Sequence, residues 1–227
     1  MMNSAGNHRV PMGQASKHGW ITRIGVFFAA LLLVAFVALA APQYQDHDRD
    51  RDRDRIHLSR DLIQMDFGGG NGGRPSRDAL CDEESVAVGF HVQTGEYFNT
   101  AWLDCVHIHG DGRLGDEIKS TERTGTPGGR PVYDALCPPG FVLRGLRGRT
   151  GASIDEAVGV CSPLREIADR LDRPRTEFTQ PVVRPHPGGH PSEGFCPIGA
   201  VVTGFRSFSG EWIDHLWVLC AEIRHGD

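Results

Sequence analysis

The sequence predicts an all-β fold built from three copies of one unit. Three stretches, residues 81–105, 137–161 and 196–220, align without a gap, and in each the second cysteine follows the first by 24 positions. Glycine and β-branched residues are abundant in these stretches, whereas helical periodicity is scarce. Coincident spacing of this extent indicates a threefold internal repeat.

The three copies share further residues between their cysteines and ahead of them. In chain order these are a valine (Val86, Val142, Val201), a Gly-apolar pair (Gly89-Phe90, Gly145-Leu146, Gly204-Phe205), a Thr/Ser-Gly pair (Thr94-Gly95, Thr150-Gly151, Ser209-Gly210) and an apolar-Asn/Asp pair (Phe98-Asn99, Ile154-Asp155, Ile213-Asp214). A Gly-Gly pair lies upstream of each copy: Gly72-Gly73, Gly128-Gly129 and Gly188-Gly189.

The N-terminal segment predicts export. Residues 24–41 form an uncharged apolar run of 18 residues that follows three basic residues and ends with Ala38-Leu39-Ala40, the small-x-small pattern of a cleavage site. We therefore expect residues 1–40 to be a secretory signal peptide. An uncleaved membrane anchor is the alternative, since a run of this length is near the shortest that spans a bilayer.

Residues 41–66 are expected to form a charged linker. Residues 48–55 alternate strictly between Asp and Arg, so this segment has no apolar face to bury. A glycine-rich run, residues 68–73, opens the folded region, which we place at 67–227. Its three repeats span about residues 67–122, 123–180 and 181–227.

Each copy has the pattern of antiparallel strands. Val88 and Phe90 alternate with polar or small residues, and Leu216 and Val218 do so on a returning strand. A copy of about 56 residues has room for four short strands but is too small to close a core alone. Three four-stranded antiparallel sheets around a pseudo-threefold axis form a β-prism. We favour this fold over a β-trefoil and a three-bladed propeller-like array.

One segment between the second and third copies predicts a short helix. It would begin after Ser162-Pro163 and end before Pro174. Its apolar residues have helical spacing: Leu164, Ile167, Ala168 and Leu171. As an insertion, this segment explains why the distance between equivalent cysteines lengthens from 56 to 59 residues.

Six cysteines in an exported chain indicate a disulfide framework, and the short Cys-x2-Cys spacing typical of zinc sites does not occur. A hairpin centred near the shared Thr/Ser-Gly turn would bring the two cysteines of one copy opposite each other. The predicted disulfides are Cys81–Cys105, Cys137–Cys161 and Cys196–Cys220. Each is expected to fix the register of its own hairpin and leave the contacts between sheets to apolar packing.

Charge and motifs argue against several functions. After residue 40 the chain has 21 basic and 29 acidic residues; because nucleic-acid binding requires a basic face, we expect no nucleic-acid partner. No paired carboxylates, Ser/His/Asp arrangement or nucleophile elbow indicates an enzyme. We therefore predict no catalytic residue and no cofactor. His107 and His109, near Asp111, would share one face of a strand, but we interpret them as surface residues and predict no metal site.

The third copy, together with its upstream Gly-Gly pair, has a residue pattern similar to that of a known protein family. Its pattern Val-x-x-Gly-Phe-x-x-x-Ser-Gly-x-x-Ile-Asp-x-Leu-x-Val resembles the β-prism of jacalin-related lectins. The three cysteine-bounded copies are also similar to vitelline-membrane outer-layer proteins, which have that prism built from three repeats. The resemblance covers about residues 67–225 and implies the fold more than the function, since one fold hosts many activities.

In jacalin-like lectins a sugar lies between a Gly-Gly loop and a Gly-x-x-x-Asp loop, so the resemblance implies candidate carbohydrate-binding residues. They are Gly188, Gly189, Gly210, Glu211, Trp212 and Asp214 for the third copy, Gly128, Gly129, Gly151 and Asp155 for the second, and Gly95 and Asn99 for the first. An ionised carboxylate accepts hydrogen bonds from two vicinal hydroxyls. Glycine lets backbone N–H groups approach the sugar, and Trp212 would stack on a pyranose ring.

The same turns allow a second interpretation. Asp155 or Asp214 would bond its own backbone within a β-turn, while glycine supplies a positive φ. Two functions follow. The first is an exported, non-enzymatic carbohydrate-binding module, secreted or periplasmic, whose partner is a glycan or cell-surface carbohydrate. The second is a structural or protein-interaction module of the cell envelope or extracellular matrix. A membrane is a partner only if the N-terminal segment stays uncleaved, and no oligomeric state is predicted.

Overall fold

The structure is a computed structural model that describes residues 55–184 and 188–226. The strands are β1 (Ile56–Gly69), β2 (Arg74–Pro75), β3 (Ala79–Leu80), β4 (Ser85–Thr94), β5 (Phe98–Ile108), β6 (Leu114–Ser120), β7 (Thr124–Gly125), β8 (Val132–Leu136), β9 (Phe141–Thr150), β10 (Ile154–Pro163), β11 (Glu177–Phe178), β12 (Val182–Val183), β13 (His190–Phe195), β14 (Ala200–Ser209) and β15 (Ile213–His225). One short helix, α1 (Leu164–Ala168), follows β10. Within the described ranges no helix is long and apolar enough to cross a membrane. The predicted signal peptide and the first part of the linker lie outside these ranges.

Each copy of the repeat contributes one long hairpin to its own antiparallel sheet. Sheet 1 contains β4 and β5, sheet 2 contains β9 and β10, and sheet 3 contains β14 and β15. Every sheet has four strand positions, because an outer strand or a pair of short strands flanks the hairpin on each side. The predicted β-prism of three four-stranded sheets is confirmed.

The outer strand beside the first hairpin strand comes from the segment ahead of the next copy. Thus β8 pairs with β4, β13 pairs with β9, and β2 and β3 pair with β14. The shared glycines permit this approach: a β-carbon on Gly89 would lie 2.6 Å from Leu136 Cδ2, and one on Gly204 would lie 2.6 Å from Leu80 Cδ2. The sheets are therefore offset from the repeats at 67–122, 123–180 and 181–227, because neighbouring copies exchange a strand.

A strand from the N-terminal side fills the other outer position of sheet 3. In sheets 1 and 2 this position is occupied by segments that follow the hairpin, β6 and β7 on β5 and β11 and β12 on β10. In sheet 3 it is occupied by β1, which pairs with β15 from Ile56 onward. The linker expected to reach residue 66 therefore ends before Ile56. Burial of Leu58 and Phe67 stabilises this strand despite its charged neighbours.

The core lies where the inner faces of the three sheets meet. The apolar members of the shared pairs are buried there: Phe90, Leu146 and Phe205 from one pair, and Phe98, Ile154 and Ile213 from the other. Phe90 and Phe205 contact edge to face across the axis, with ring centroids 6.1 Å apart. The repeat pattern thus marks the residues that three incomplete units bury together.

The predicted helix is shorter than its spacing suggested. It ends at Ala168, so Leu171 lies beyond it and is exposed. The helix begins directly after Ser162-Pro163, as predicted, with Pro163 at the N-cap position and no side-chain cap. Leu164, Ile167 and Ala168 are buried in a second apolar cluster, and this packing holds so short a helix.

The three predicted disulfides are confirmed, with Cα–Cα distances of 5.6–5.8 Å. Their structural role differs from the prediction. Cys137 continues the exchanged strand of sheet 1 and donates its backbone N–H to the Val88 carbonyl (2.9 Å), whereas Cys161 lies in sheet 2. Each bridge therefore joins neighbouring sheets. It does not fix hairpin register, because the first cysteine of a copy belongs to the preceding sheet through strand exchange.

Candidate functional site

The three hairpins end in equivalent turns: turn 1 (residues 94–99), turn 2 (150–155) and turn 3 (209–214). Each is closed by the same backbone hydrogen bond, from the glycine N–H to a carbonyl two residues on, at 2.9–3.0 Å. Tyr97 and Asn99 of turn 1 contact turn 3 directly, and Arg184 lies between Tyr97 and Asp155 of turn 2. The candidate residues from all three copies therefore lie at the same end of the prism.

Each Gly-Gly pair lies against the turn of the copy before it. A β-carbon on Gly129 would lie 2.6 Å from Asn99 Oδ1, and one on Gly189 would lie 2.5 Å from Asp155 Oδ2. The grouping by sequence order, with Gly188-Gly189 beside Asp214 and Gly128-Gly129 beside Asp155, is therefore wrong. Strand exchange is the cause, since these loops lead into the exchanged strands β8 and β13.

Gly72 and Gly73, absent from the predicted site, complete turn 3. Gly73 has φ +75°, and a β-carbon there would lie 2.6 Å from Asp214 Oδ2 and 2.6 Å from the backbone of Ser209. Only glycine fits both this conformation and this approach. The sequence contained the signal, because Gly72-Gly73 is the equivalent pair of the first copy.

In turn 1 the Asn99 side chain is bonded to the protein at both its oxygen and its nitrogen. Its Oδ1 accepts the N–H of Gly95 at 2.9 Å, and its Nδ2 donates to the Glu211 carbonyl at 3.1 Å. Gln93 Nε2 also holds the adjacent loop through the Gly129 carbonyl at 2.8 Å. Turn 1 therefore has the backbone-bonding role of the second interpretation.

In turn 2 the carboxylate of Asp155 is already paired. Asp155 is 2% exposed and accepts a short charged hydrogen bond from Arg184 Nε. The backbone N–H of Arg184 donates to the Asp155 carbonyl at 3.1 Å as well. Arg149 fixes the opposing loop by donating to the carbonyls of Gly188 and Gly189 at 2.8 and 2.7 Å. In turn 2 the guanidinium of Arg184 therefore neutralises the carboxylate of Asp155.

Turn 3 differs from the other two. Asp214 Oδ2 is enclosed and has no hydrogen-bond partner within the part of the chain that the structure describes. Gly73 and Gly210 lie on either side of this oxygen. Trp212, two residues before Asp214, is half-buried, and Glu211 is exposed. Enclosing an unpaired carboxylate oxygen costs about 1–3 kcal/mol of folding free energy. A ligand that donates a hydrogen bond to this oxygen would remove that cost.

Two residues that sequence reasoning missed contact this end of the prism. Tyr97 of turn 1 stacks on Trp212 with ring centroids 4.3 Å apart. The guanidinium of Arg184 lies 5.3 Å from the Tyr97 ring centroid. Tyr97 occupies a variable position of the repeat, and Arg184 lies 29 residues after Asp155, so neither carried a repeat signal.

Comparison with known proteins gives similar folds at low identity. No family model and no curated protein matches the chain. One similar solved structure is artocarpin complexed with Me-alpha-mannose, with 12% identity and a TM-score of 0.47 over 72% of this chain and 99% of that one. Malaysian banana lectin has 16% identity and a TM-score of 0.46 over 71% of this chain and 99% of that one. A prostate-specific WGA16 glycoprotein lectin has 15% identity and a TM-score of 0.45 over 70% of this chain and 97% of that one. The fold assignment rests on the strand topology described above.

Proposed function

We propose that the chain is an exported, non-enzymatic carbohydrate-binding module whose ligand site is turn 3 with Gly72 and Gly73. The observation that carries this proposal is the unpaired carboxylate oxygen of Asp214 between two glycine-flanked loops. Sugar hydroxyls are donors of suitable size, and a charge-assisted hydrogen bond is the stronger kind.

The surroundings of Asp214 suit a pyranose. Asp214 as a whole is half-buried, so its carboxylate can accept a sugar hydroxyl through the oxygen that is not enclosed, and Gly72 and Gly73 leave their backbone N–H groups without side-chain cover. Trp212 offers an aromatic face beside the carboxylate, against which the C–H face of a sugar ring packs. Asn99 and Asp155 bind no sugar in this proposal, because the protein already occupies both side chains.

Export is part of the proposal. Three disulfides and no free cysteine in the described ranges indicate an oxidising environment. Residues 1–40 act as the signal peptide in this account, and N-terminal sequencing of the exported protein tests it. A mature N-terminus near residue 41 is expected, whereas an intact first residue would favour the anchor.

The second candidate is a structural or protein-interaction module of the envelope or extracellular matrix. The contacts of turns 1 and 2 favour it, since Asn99 and Asp155 both stabilise loops. The two functions differ at Asp214. In the structural module, Asp214→Ala lowers stability without affecting any sugar.

Glycan-array binding of the wild type and Asp214→Ala separates these candidates. We expect the wild type to bind a subset of glycans and Asp214→Ala to lose them without a fall in melting temperature, since alanine removes an enclosed oxygen that has no partner. The matched control is Glu96→Ala, which removes an exposed acid from the equivalent of the Glu211 position in turn 1. Absence of binding to any glycan at millimolar concentration would overturn the carbohydrate-binding proposal.

A further inference from the structure

We propose that the three turns form a single compound site, in which the first and second copies no longer bind ligand and instead position turn 3. This inference rests on the proposed function at Asp214 and goes beyond it by assigning positioning residues. These residues are Asn99, Tyr97 and Thr126, which lie in the hairpin of sheet 1 or directly after its strand β7, and the Asp155–Arg184 pair, which lies in sheet 2 and directly after its strand β12.

Residues of sheet 1 and of the loop after β7 hold the backbone of turn 3 through two successive carbonyls. Thr126 Oγ1 donates to the Gly210 carbonyl at 2.7 Å, and Asn99 Nδ2 donates to the Glu211 carbonyl at 3.1 Å. Thr126 is itself fixed to the first hairpin, because its N–H donates to the Asn99 carbonyl at 2.8 Å. Its carbonyl accepts from Thr100 Oγ1, also at 2.8 Å.

This arrangement accounts for the departure of turn 1 from the acidic pattern. An aspartate at position 99 could still accept the Gly95 N–H, but it has no N–H group to donate to the Glu211 carbonyl. Its charge would also face a carbonyl oxygen. Asparagine is therefore the side chain that bonds its own turn and turn 3 together.

The Asp155–Arg184 pair at the end of sheet 2 orients the aromatic ring of turn 3 through Tyr97. Arg184 is held by Asp155, and the side chains of this pair are only 16% and 3% exposed. The held guanidinium lies against Tyr97, and Tyr97 stacks on Trp212. Because both side chains are largely removed from water, loss of either one would leave an uncompensated buried charge, so Asp155 keeps Arg184 at the Tyr97 ring.

The consequence is that Trp212 and the turn 3 backbone are ordered before a ligand arrives. A site ordered in advance avoids the entropy cost of fixing side chains and loops on binding. One ligand per chain is therefore expected, although the repeat provides three equivalent turns.

Hydrogen exchange and binding stoichiometry test this inference. The variants are Tyr97→Ala and the double variant Asp155→Asn with Arg184→Met, which removes both charges and leaves no unpaired buried acid. We expect amides of residues 209–215 to exchange about tenfold faster in both variants, with the hairpin cores unchanged. Tyr97→Phe, which keeps the ring, should restore slow exchange, and Glu96→Ala should behave as wild type.

Titration of the same proteins with methyl α-mannopyranoside and methyl α-galactopyranoside supplies the second readout. We expect one equivalent per chain in the wild type and about fivefold weaker binding in the variants. Unchanged exchange in residues 209–215 would overturn the inference, as would a second equivalent in the double variant, because Arg184 would then only cover a second site. If the wild type binds no glycan but exchange rises as expected, the positioning stands and the carbohydrate function fails.

Discussion

Cys196 and Cys220 belong to one copy of the sequence repeat, yet their disulfide joins two different sheets. Cys196 donates its N–H to the Arg144 carbonyl of sheet 2 at 2.9 Å, and Cys220 lies opposite Val202 in sheet 3. The other two bridges join sheet 3 to sheet 1 and sheet 1 to sheet 2 in the same way. The three disulfides therefore form a closed ring around the prism.

Removing one bridge should weaken the junction between sheets. For Cys196→Ser with Cys220→Ser we expect a loss of about 3 kcal/mol in the free energy of unfolding, from the greater entropy of the unfolded chain. Hydrogen exchange should rise first along β13, while the β14–β15 pairing stays protected. Early loss of protection within β14–β15 would show instead that the bridge fixes hairpin register.

The N-terminal strand should be essential to stability. Phe67 is fully buried in β1, so Phe67→Ala should lower the free energy of unfolding by about 3–5 kcal/mol in urea denaturation. Leu62→Ala is the matched control in the same strand, since Leu62 is 44% exposed, and it should cost under about 1 kcal/mol. Equal, small losses would place β1 outside the folded domain.

Gly69 should tolerate no side chain because β1 passes directly under turn 3. It has φ +130°, and a β-carbon there would overlap the Asp214 carbonyl. Gly140 is the control, with φ +80° and open space around a β-carbon. Gly140→Ala should lower the free energy of unfolding by about 1–2 kcal/mol from backbone strain alone. Gly69→Ala should lower it further and should also weaken glycan binding. Similar melting temperatures for both variants would contradict the close approach.

Asn99→Asp should weaken the site, although it restores the acid missing from the first copy. The change removes the donor to the Glu211 carbonyl, so we expect turn 3 to exchange faster and glycan affinity to fall. A gain of a second binding equivalent by calorimetry would contradict this expectation and favour independent sites.

The repeat pattern predicted much of this fold because its shared residues are those that three small units bury together. Val86, Phe90 and Phe98 could be placed by alternation and spacing alone. Strand exchange could not be predicted in this way. The pattern does not say whether a Gly-Gly loop packs against the turn of its own copy or against the turn of the preceding copy. β1 was missed because its charged residues conceal a buried face formed by Leu58 and Phe67.

The difference between the three turns was also beyond sequence reasoning. Asp155 and Asp214 occupy equivalent positions, and their local sequences predict equal roles. Only the fold brings Arg184 to Asp155, across an insertion that has no counterpart in the other copies. Contacts of this kind depend on loop paths, which spacing does not determine.

The most direct test of the account is a titration of the ¹⁵N-labelled protein with a glycan that binds on the array, followed by amide chemical shifts. We predict shifts concentrated at Gly72, Gly73 and residues 210–214, saturating with one equivalent and absent in Asp214→Ala. Saturation at more than one equivalent, or persistence of the shifts in Asp214→Ala, would contradict a single site at turn 3.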